Sequence, residues 1–189
     1  MKAVVLDVSQ EWLDERHRLD LDRRDEMWEG VLHMVPPGSS EHNELGADLM
    51  SLLRPLAAER GLRRFFEPGI FDPTIPSMTS YRVADLGFAL PEHVTRRGIE
   101  GRAALVVEIL SPRDESYEKL PFYRRVGVEE LLFVDQLTKA FEVRRPEGDA
   151  WLVAGADDDG WIDLSSLGVG LRTVDACLHV RTPDGTKVL

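Results

Sequence analysis

Cysteine is nearly absent from this chain of 189 residues. The one thiol, Cys177, has no partner for an internal bridge, which excludes a disulfide scaffold and fits a reducing cytoplasm. Long hydrophobic runs are missing too. The N-terminal stretch MKAVVLDVSQEWLDERHR turns charged after a short apolar run, too short for a signal-peptide core and far too short to span a membrane. The expectation is a soluble, cytoplasmic protein with no membrane partner. Internal repeats, low-complexity blocks and long linkers are also lacking, so a single domain over 1–189 is expected. Positive charge is in short supply: 23 Lys and Arg stand against 34 Asp and Glu, for a net charge of −11. Whole-molecule electrostatics therefore repel nucleic acid, whose affinity comes largely from cations displacing counterions. Arginine heavily outnumbers lysine and forms doublets at Arg23-Arg24, Arg63-Arg64, Arg96-Arg97, Arg124-Arg125 and Arg144-Arg145. Each doublet reads first as solvated surface.

What is present suffices for a core, since 43% of residues are hydrophobic. Ser9 is placed to cap a short helix carrying Trp12 and Leu13. MWEGVLHMV (27–35) reads as a hairpin turning at Glu29-Gly30. Leu45, Leu49, Leu52, Leu53 and Leu56 recur at helical spacing from Ser40 to Arg60, with Pro55 expected to kink or split the helix near its end. LRRFFEPGIFDP and YRVADLGFAL read as strands, and RAALVVEIL (102–110) as a buried strand bounded by Ser111-Pro112. A helix is expected from about Asp114 to Arg125, then strands in LLFVD, KAFEVRRP, WLVAG and WIDL and two short apolar segments. The order predicts an α/β domain with a mixed central β-sheet flanked by helices.

Two acids interrupt strands, Asp85 and Glu108. Alternation puts Glu108 on the face of Val106 and Leu110. An ionised carboxylate there costs several kcal/mol unless a cation, a proton or a water-filled cleft compensates it. If the two strands are neighbours, the acids converge at one end and offer hard oxygen ligands to Mg²⁺ or Mn²⁺. Such an ion makes water more acidic and shields a phosphodiester, and Lys119 on the following helix could orient that water. The bland alternative is that Glu108 caps a turn or pairs with an arginine. Other acids carry less: Asp135 ends a strand, and the Asp157-Asp158-Asp159-Gly160 turn lacks the spacing of a calcium loop. No Gly-rich phosphate loop or Gly-x-Ser-x-Gly elbow occurs.

The segments EMWEGVLHMVPPGSSEHNELGADL, VADLGF and LVVEILSPRDESYEKLPFYRRVGVEELLFVD resemble the Uma-two family, a bacterial group with the restriction-endonuclease-like PD-(D/E)xK fold. The resemblance runs from about Arg24 to Leu178. It implies a restriction-endonuclease-like core in which Asp85 is the first metal-binding aspartate, Glu108 the second acid and Lys119 the helix-borne lysine. Ala84 stands where the motif's proline usually sits, and Leu110 where the short motif has its lysine. Glu29 resembles the N-terminal acid often placed near such sites, and His42 fits contact with a phosphate or the attacking water. The activity implied is endonucleolytic hydrolysis of phosphodiesters, in DNA, with Mg²⁺ or Mn²⁺ as cofactor and a homodimer as the assembly. Two other classes stay open: a non-catalytic binding or assembly module, which the acidic charge favours, and a hydrolase of other phosphate esters.

Overall fold

The structure is a computed structural model and describes residues 3–6, 8–75, 79–112 and 115–189. The chain opens with β1 (Ala3–Val5), α1 (Gln10–Arg18), β2 (Glu26–Trp28), β3 (Val31–Met34) and α2 (Ser40–Glu59). Strands β4 (Arg63–Phe66), β5 (Gly69–Phe71), β6 (Tyr81–Val83), β7 (Leu86–Ala89), β8 (Ile99–Glu100) and β9 (Leu105–Leu110) follow. A 3-10 turn (Ser116–Lys119) runs directly into α3 (Leu120–Val126). The remainder is β10 (Leu131–Asp135), β11 (Phe141–Glu147), β12 (Ala150–Val153), β13 (Ile162–Leu164), β14 (Val169–Val174), β15 (Cys177–Thr182) and β16 (Gly185–Val188).

The central sheet has the order β12-β11-β10-β9-β7-β4 and is mixed: β9 runs parallel to β10 and antiparallel to β7. On one face α2 lays Leu45, Leu49, Leu53 and Leu56 against Leu86, Leu105, Val107, Ile109 and Leu132. Gly46 permits close approach there, because a Cβ would stand 3.3 Å from Ile109 Cδ1 and from Phe66. On the other face α3 packs Phe122, Tyr123 and Val126 against Val106, Leu131 and Phe133. The alternation expected for β9 therefore holds, with Glu108 on the α3 side. Among the described residues, no helix is long and apolar enough to cross a membrane.

Several local expectations hold. Ser9 accepts a hydrogen bond from the Trp12 N–H and caps α1. Glu29 and Gly30 both take positive φ (48° and 89°), as a tight two-residue hairpin turn requires, so β2 and β3 pair with Trp28 opposite Val31. Gly127 closes α3 in the left-handed conformation.

Others are corrected. Of the kink or split expected at Pro55, the split does not occur, and α2 continues to Glu59. The carbonyl its missing N–H leaves free belongs to Ser51, an exposed residue, so it is not stranded in the core. YRVADLGFAL is two strands in different sheets. The chain leaves β6, bends at Ala84-Asp85 and enters β7. LRRFFEPGIFDP divides in the same way at Glu67-Pro68, and the two crossings are tied by the Glu67 N–H donating to the Asp85 carbonyl at 2.9 Å. β5 and β6 thus join β1, β3, β2 and β8 in a second sheet. The tail forms a third, antiparallel sheet, β13-β14-β15-β16, whose Leu164, Leu171, Leu178 and Val180 complete the α2-side core. Lys119 sits at the end of the 3-10 turn and at the N-cap of α3 rather than inside a long helix, and Asp114, taken as a helix start, lies outside the described residues.

Candidate active site

Glu108 lies at the floor of a cleft of about 660 Å³ that Asp85, Lys119, His42, Glu26 and Arg24 also line. The convergence follows from register. β7 and β9 pair with Leu86 opposite Val107, and one step further in this antiparallel ladder Asp85 falls beside Glu108 on the same face. The Asp85 carboxylate is pinned there, Oδ2 accepting from the Ile109 N–H at 2.6 Å.

Glu108 is 2% exposed and crowded by donors. Its Oε1 accepts from Lys119 Nζ at 3.1 Å and from the Tyr123 hydroxyl. Its Oε2 is held more loosely, with Lys119 Nζ and Ser116 Oγ each at 3.3 Å. Burial, reinforced by the charges of Asp85 and Glu26 and opposed by Lys119 and Tyr123, pushes its pKa up to about 8. Lys119 is buried as well. Burial works against its charge, but the Glu108 and Glu26 carboxylates outweigh that and raise its pKa, so it stays an ammonium. Its Nζ donates to Glu26 Oε1 at 2.8 Å and to the Val83 carbonyl at 3.0 Å as well as to Glu108. Burial likewise opposes the ionisation of Glu26; Lys119, Trp28 Nε1 (2.6 Å) and the Val83 N–H (3.1 Å) prevail and lower its pKa. With Glu108 ionised, one ammonium faces two buried carboxylates with Asp85 beside them; below about pH 8 a proton on Glu108 relieves that excess of negative charge.

His42 stands on the first turn of α2, which Ser39 caps by accepting from the His42 N–H. Its Nε2 lies 3.2 Å from Asp85 Oδ1, and that bond outweighs desolvation and raises the imidazole pKa. Ser39 Oγ also donates to Gln136 Oε1 at 3.1 Å, fixing the helix start to the end of β10.

Four of the five residues singled out from the sequence, Asp85, Glu108, Lys119 and His42, thus line one cleft. Glu29 does not join them. Its positive-φ turn directs it to Arg125 Nη2 (2.8 Å), Ser80 Oγ (3.1 Å) and Arg82 Nη2 (3.3 Å), where it braces the hairpin. The N-terminal acid that reaches the site is Glu26, in β2. Glu26, Tyr123 and Ser116 escaped sequence reading, although signals existed. Glu26 opens the strand Glu-Met-Trp with its side chain on the buried side, and Ser116, Lys119 and Tyr123 follow the i, i+3, i+7 stripe of one helical face. Asp135 and Asp157 proved structural: each carboxylate accepts backbone N–H bonds of its own turn.

Among the described residues, no three His, Cys, Asp or Glu side chains gather to cage a metal by themselves. Two carboxylates with access to solvent and substrate are what Mg²⁺ commonly uses, since it keeps several waters and shares its shell with phosphate oxygens. Asp85 and the Oε2 of Glu108 are the carboxylate groups in this cleft that could contribute to such a shell.

A mixed sheet with two acids at the β7/β9 junction and a lysine arriving from the next helical segment defines a restriction-endonuclease-like core. A protein from Anabaena variabilis, described as "a putative nuclease belonging to DUF820", shares this fold with a TM-score of 0.62 at 18% identity, over 82% of this chain and 90% of that one. The chain belongs to the Uma2 family, described as "Putative restriction endonuclease", which it matches over residues 13–177. No curated protein matches it.

Proposed function

We propose that this protein is a divalent-metal-dependent endonuclease that hydrolyses phosphodiester bonds in DNA. Asp85 and Glu108 are the residues that would hold Mg²⁺ or Mn²⁺, through Asp85 Oδ1 and Glu108 Oε2. The cation supplies Lewis-acid polarisation of the scissile phosphate and a more acidic water. Lys119 orients the nucleophilic water and offsets negative charge that builds on the phosphorus oxygens. Its ammonium form makes it a donor, not a base. Tyr123 and Ser116 hold the Glu108 carboxylate in its rotamer, and His42 holds Asp85. The observation that carries this reading is the register-enforced meeting of Asp85 and Glu108, with Lys119 bonded to Glu108, on the floor of an open cleft. Cutting both strands calls for two copies, so a homodimer belongs to the proposal, as does work in the reducing cytoplasm that a lone cysteine suits.

The test is cleavage of supercoiled plasmid and labelled oligonucleotides with Mg²⁺ or Mn²⁺, beside an Asp85→Ala control. Metal-dependent nicking is expected of the wild type. Asp85→Ala should lower the rate about 10³-fold, the equivalent of about 4 kcal/mol of transition-state stabilisation. Cleavage that persists in Asp85→Ala would place the chemistry elsewhere. Absence of both cleavage and Mn²⁺ binding in the wild type would instead favour a binding module.

A further inference from the structure

We infer that Glu26 is the positioning residue that keeps Lys119 aimed into the cleft when Glu108 is engaged by a cation. The inference rests on the metal-dependent reading above and assigns the site a further working side chain. An ammonium has three N–H donors. In this structure all three are committed: to Glu26 Oε1 (2.8 Å), to the Val83 carbonyl (3.0 Å) and to Glu108 (3.1 and 3.3 Å). The Glu108 contacts are the longest of the set and the ones that a cation on that carboxylate weakens. Lys119 then depends on the other two acceptors for its place, and the donor released from Glu108 becomes available to the cleft that Lys119 lines.

Glu26 is built for the task. It is 1% exposed, in a three-residue strand pinned on both sides by β3 and β6. Its second oxygen is fixed by Trp28 Nε1 and its first also accepts the Val83 N–H. Val83 therefore serves twice: its N–H orients Glu26 and its carbonyl orients Lys119. Both anchors come from the strand that leads straight into Asp85, so lysine and first acid are set by one rigid piece of backbone. Glu26 lies in the wall of the cleft but is almost wholly screened from solvent, with both oxygens taken up by Lys119, Trp28 and Val83, and it acts through Lys119.

Three variants and two readouts test this. Glu26→Ala is expected to lower kcat roughly 10–100-fold with KM for DNA little changed. Glu26→Gln, which keeps a carbonyl oxygen for Lys119, should recover most of that loss, and Glu26→Asp, one methylene short, should not. Independently of activity, lysine ¹⁵Nζ NMR follows the Lys119 ammonium while Mg²⁺ is titrated. In the wild type and Glu26→Gln its protected signal should survive saturation, and in Glu26→Ala it should broaden or exchange away as Mg²⁺ binds, with Mg²⁺ affinity within about threefold of wild type. Retention of the signal and of kcat in Glu26→Ala would overturn the anchor. So would a loss of Mg²⁺ affinity as large as that of Asp85→Ala, which would make Glu26 a ligand. A wild type that binds no Mg²⁺ would overturn the metal reading itself, so the two failures are told apart. Should Glu26→Ala not fold, the Asp and Gln pair carries the comparison alone.

Discussion

Lys119→Met is expected to destabilise the fold by roughly 3–5 kcal/mol at neutral pH, the cost of leaving buried charge without its partner. Methionine fills nearly the same volume, so lost packing contributes little. What disappears is the one ammonium that Glu26 and Glu108 share. Urea unfolding measures the effect, and adding Glu26→Gln and Glu108→Gln to Lys119→Met should restore most of the lost stability, because a neutral cluster no longer needs a cation. A single-variant loss below about 1 kcal/mol, the range of an exposed ion pair, would show that Lys119 is not the counter-charge assigned to it.

Glu108→Gln is expected to do the opposite to stability while ending catalysis. Removing one of two buried carboxylates leaves Glu26 and Lys119 as a balanced pair, and the metal-free protein should gain roughly 1–2 kcal/mol at pH 8. The pH dependence carries the sign. Glu108 has a folded-state pKa near 8 against an ordinary 4.5, so the stability it contributes as a neutral acid is complete below about pH 4.5 and is lost as pH rises to about 8. His42 adds in the same direction: its raised pKa gives stability that is full below about 6.5 and lost as pH climbs through the folded-state value. Metal-free wild type should therefore melt at progressively lower temperature from pH 5 to pH 8.5. Glu108→Gln should flatten most of that slope, and saturating Mg²⁺ should reverse it, since a divalent cation takes the place of the proton. Cleavage by Glu108→Gln should fall about 10³-fold. A variant no more stable than wild type at pH 8 would mean that Glu108 carries no excess charge in the folded state.

Much of this site was legible in the sequence because burying a carboxylate is costly. An acid in the middle of Leu-Val-Val-Glu-Ile-Leu demands compensation, and alternation alone put Glu108 on the face that meets Lys119. The long helix, the hairpin at Glu29-Gly30 and the β9 strand were legible for similar local reasons: period, turn chemistry and β-branched content. What was not legible depends on contacts between distant segments. Strand propensity runs unbroken through YRVADLGFAL, yet the chain changes sheets at Ala84-Asp85, and the β7/β9 register that brings Asp85 level with Glu108 is a pairing of distant segments. The pattern at Glu26 and Glu29 misleads in the same way. Both acids belong to the hairpin, but the turn's positive φ sends Glu29 to Arg125 while its third neighbour upstream, inside the strand, reaches Lys119. The turn acid is the conspicuous one in the sequence, yet the strand acid is the one that lines the cleft.

In the proposed site Asp85 and Glu108 jointly hold one divalent cation. Anomalous diffraction from crystals soaked in Mn²⁺ tests it most directly. A single strong peak is expected in the cleft, roughly 2.0–2.6 Å from an oxygen of each carboxylate, with Lys119 still on Glu26. At saturating Mn²⁺, a peak elsewhere, or none while His42 keeps Asp85 and Lys119 keeps Glu108, would contradict it.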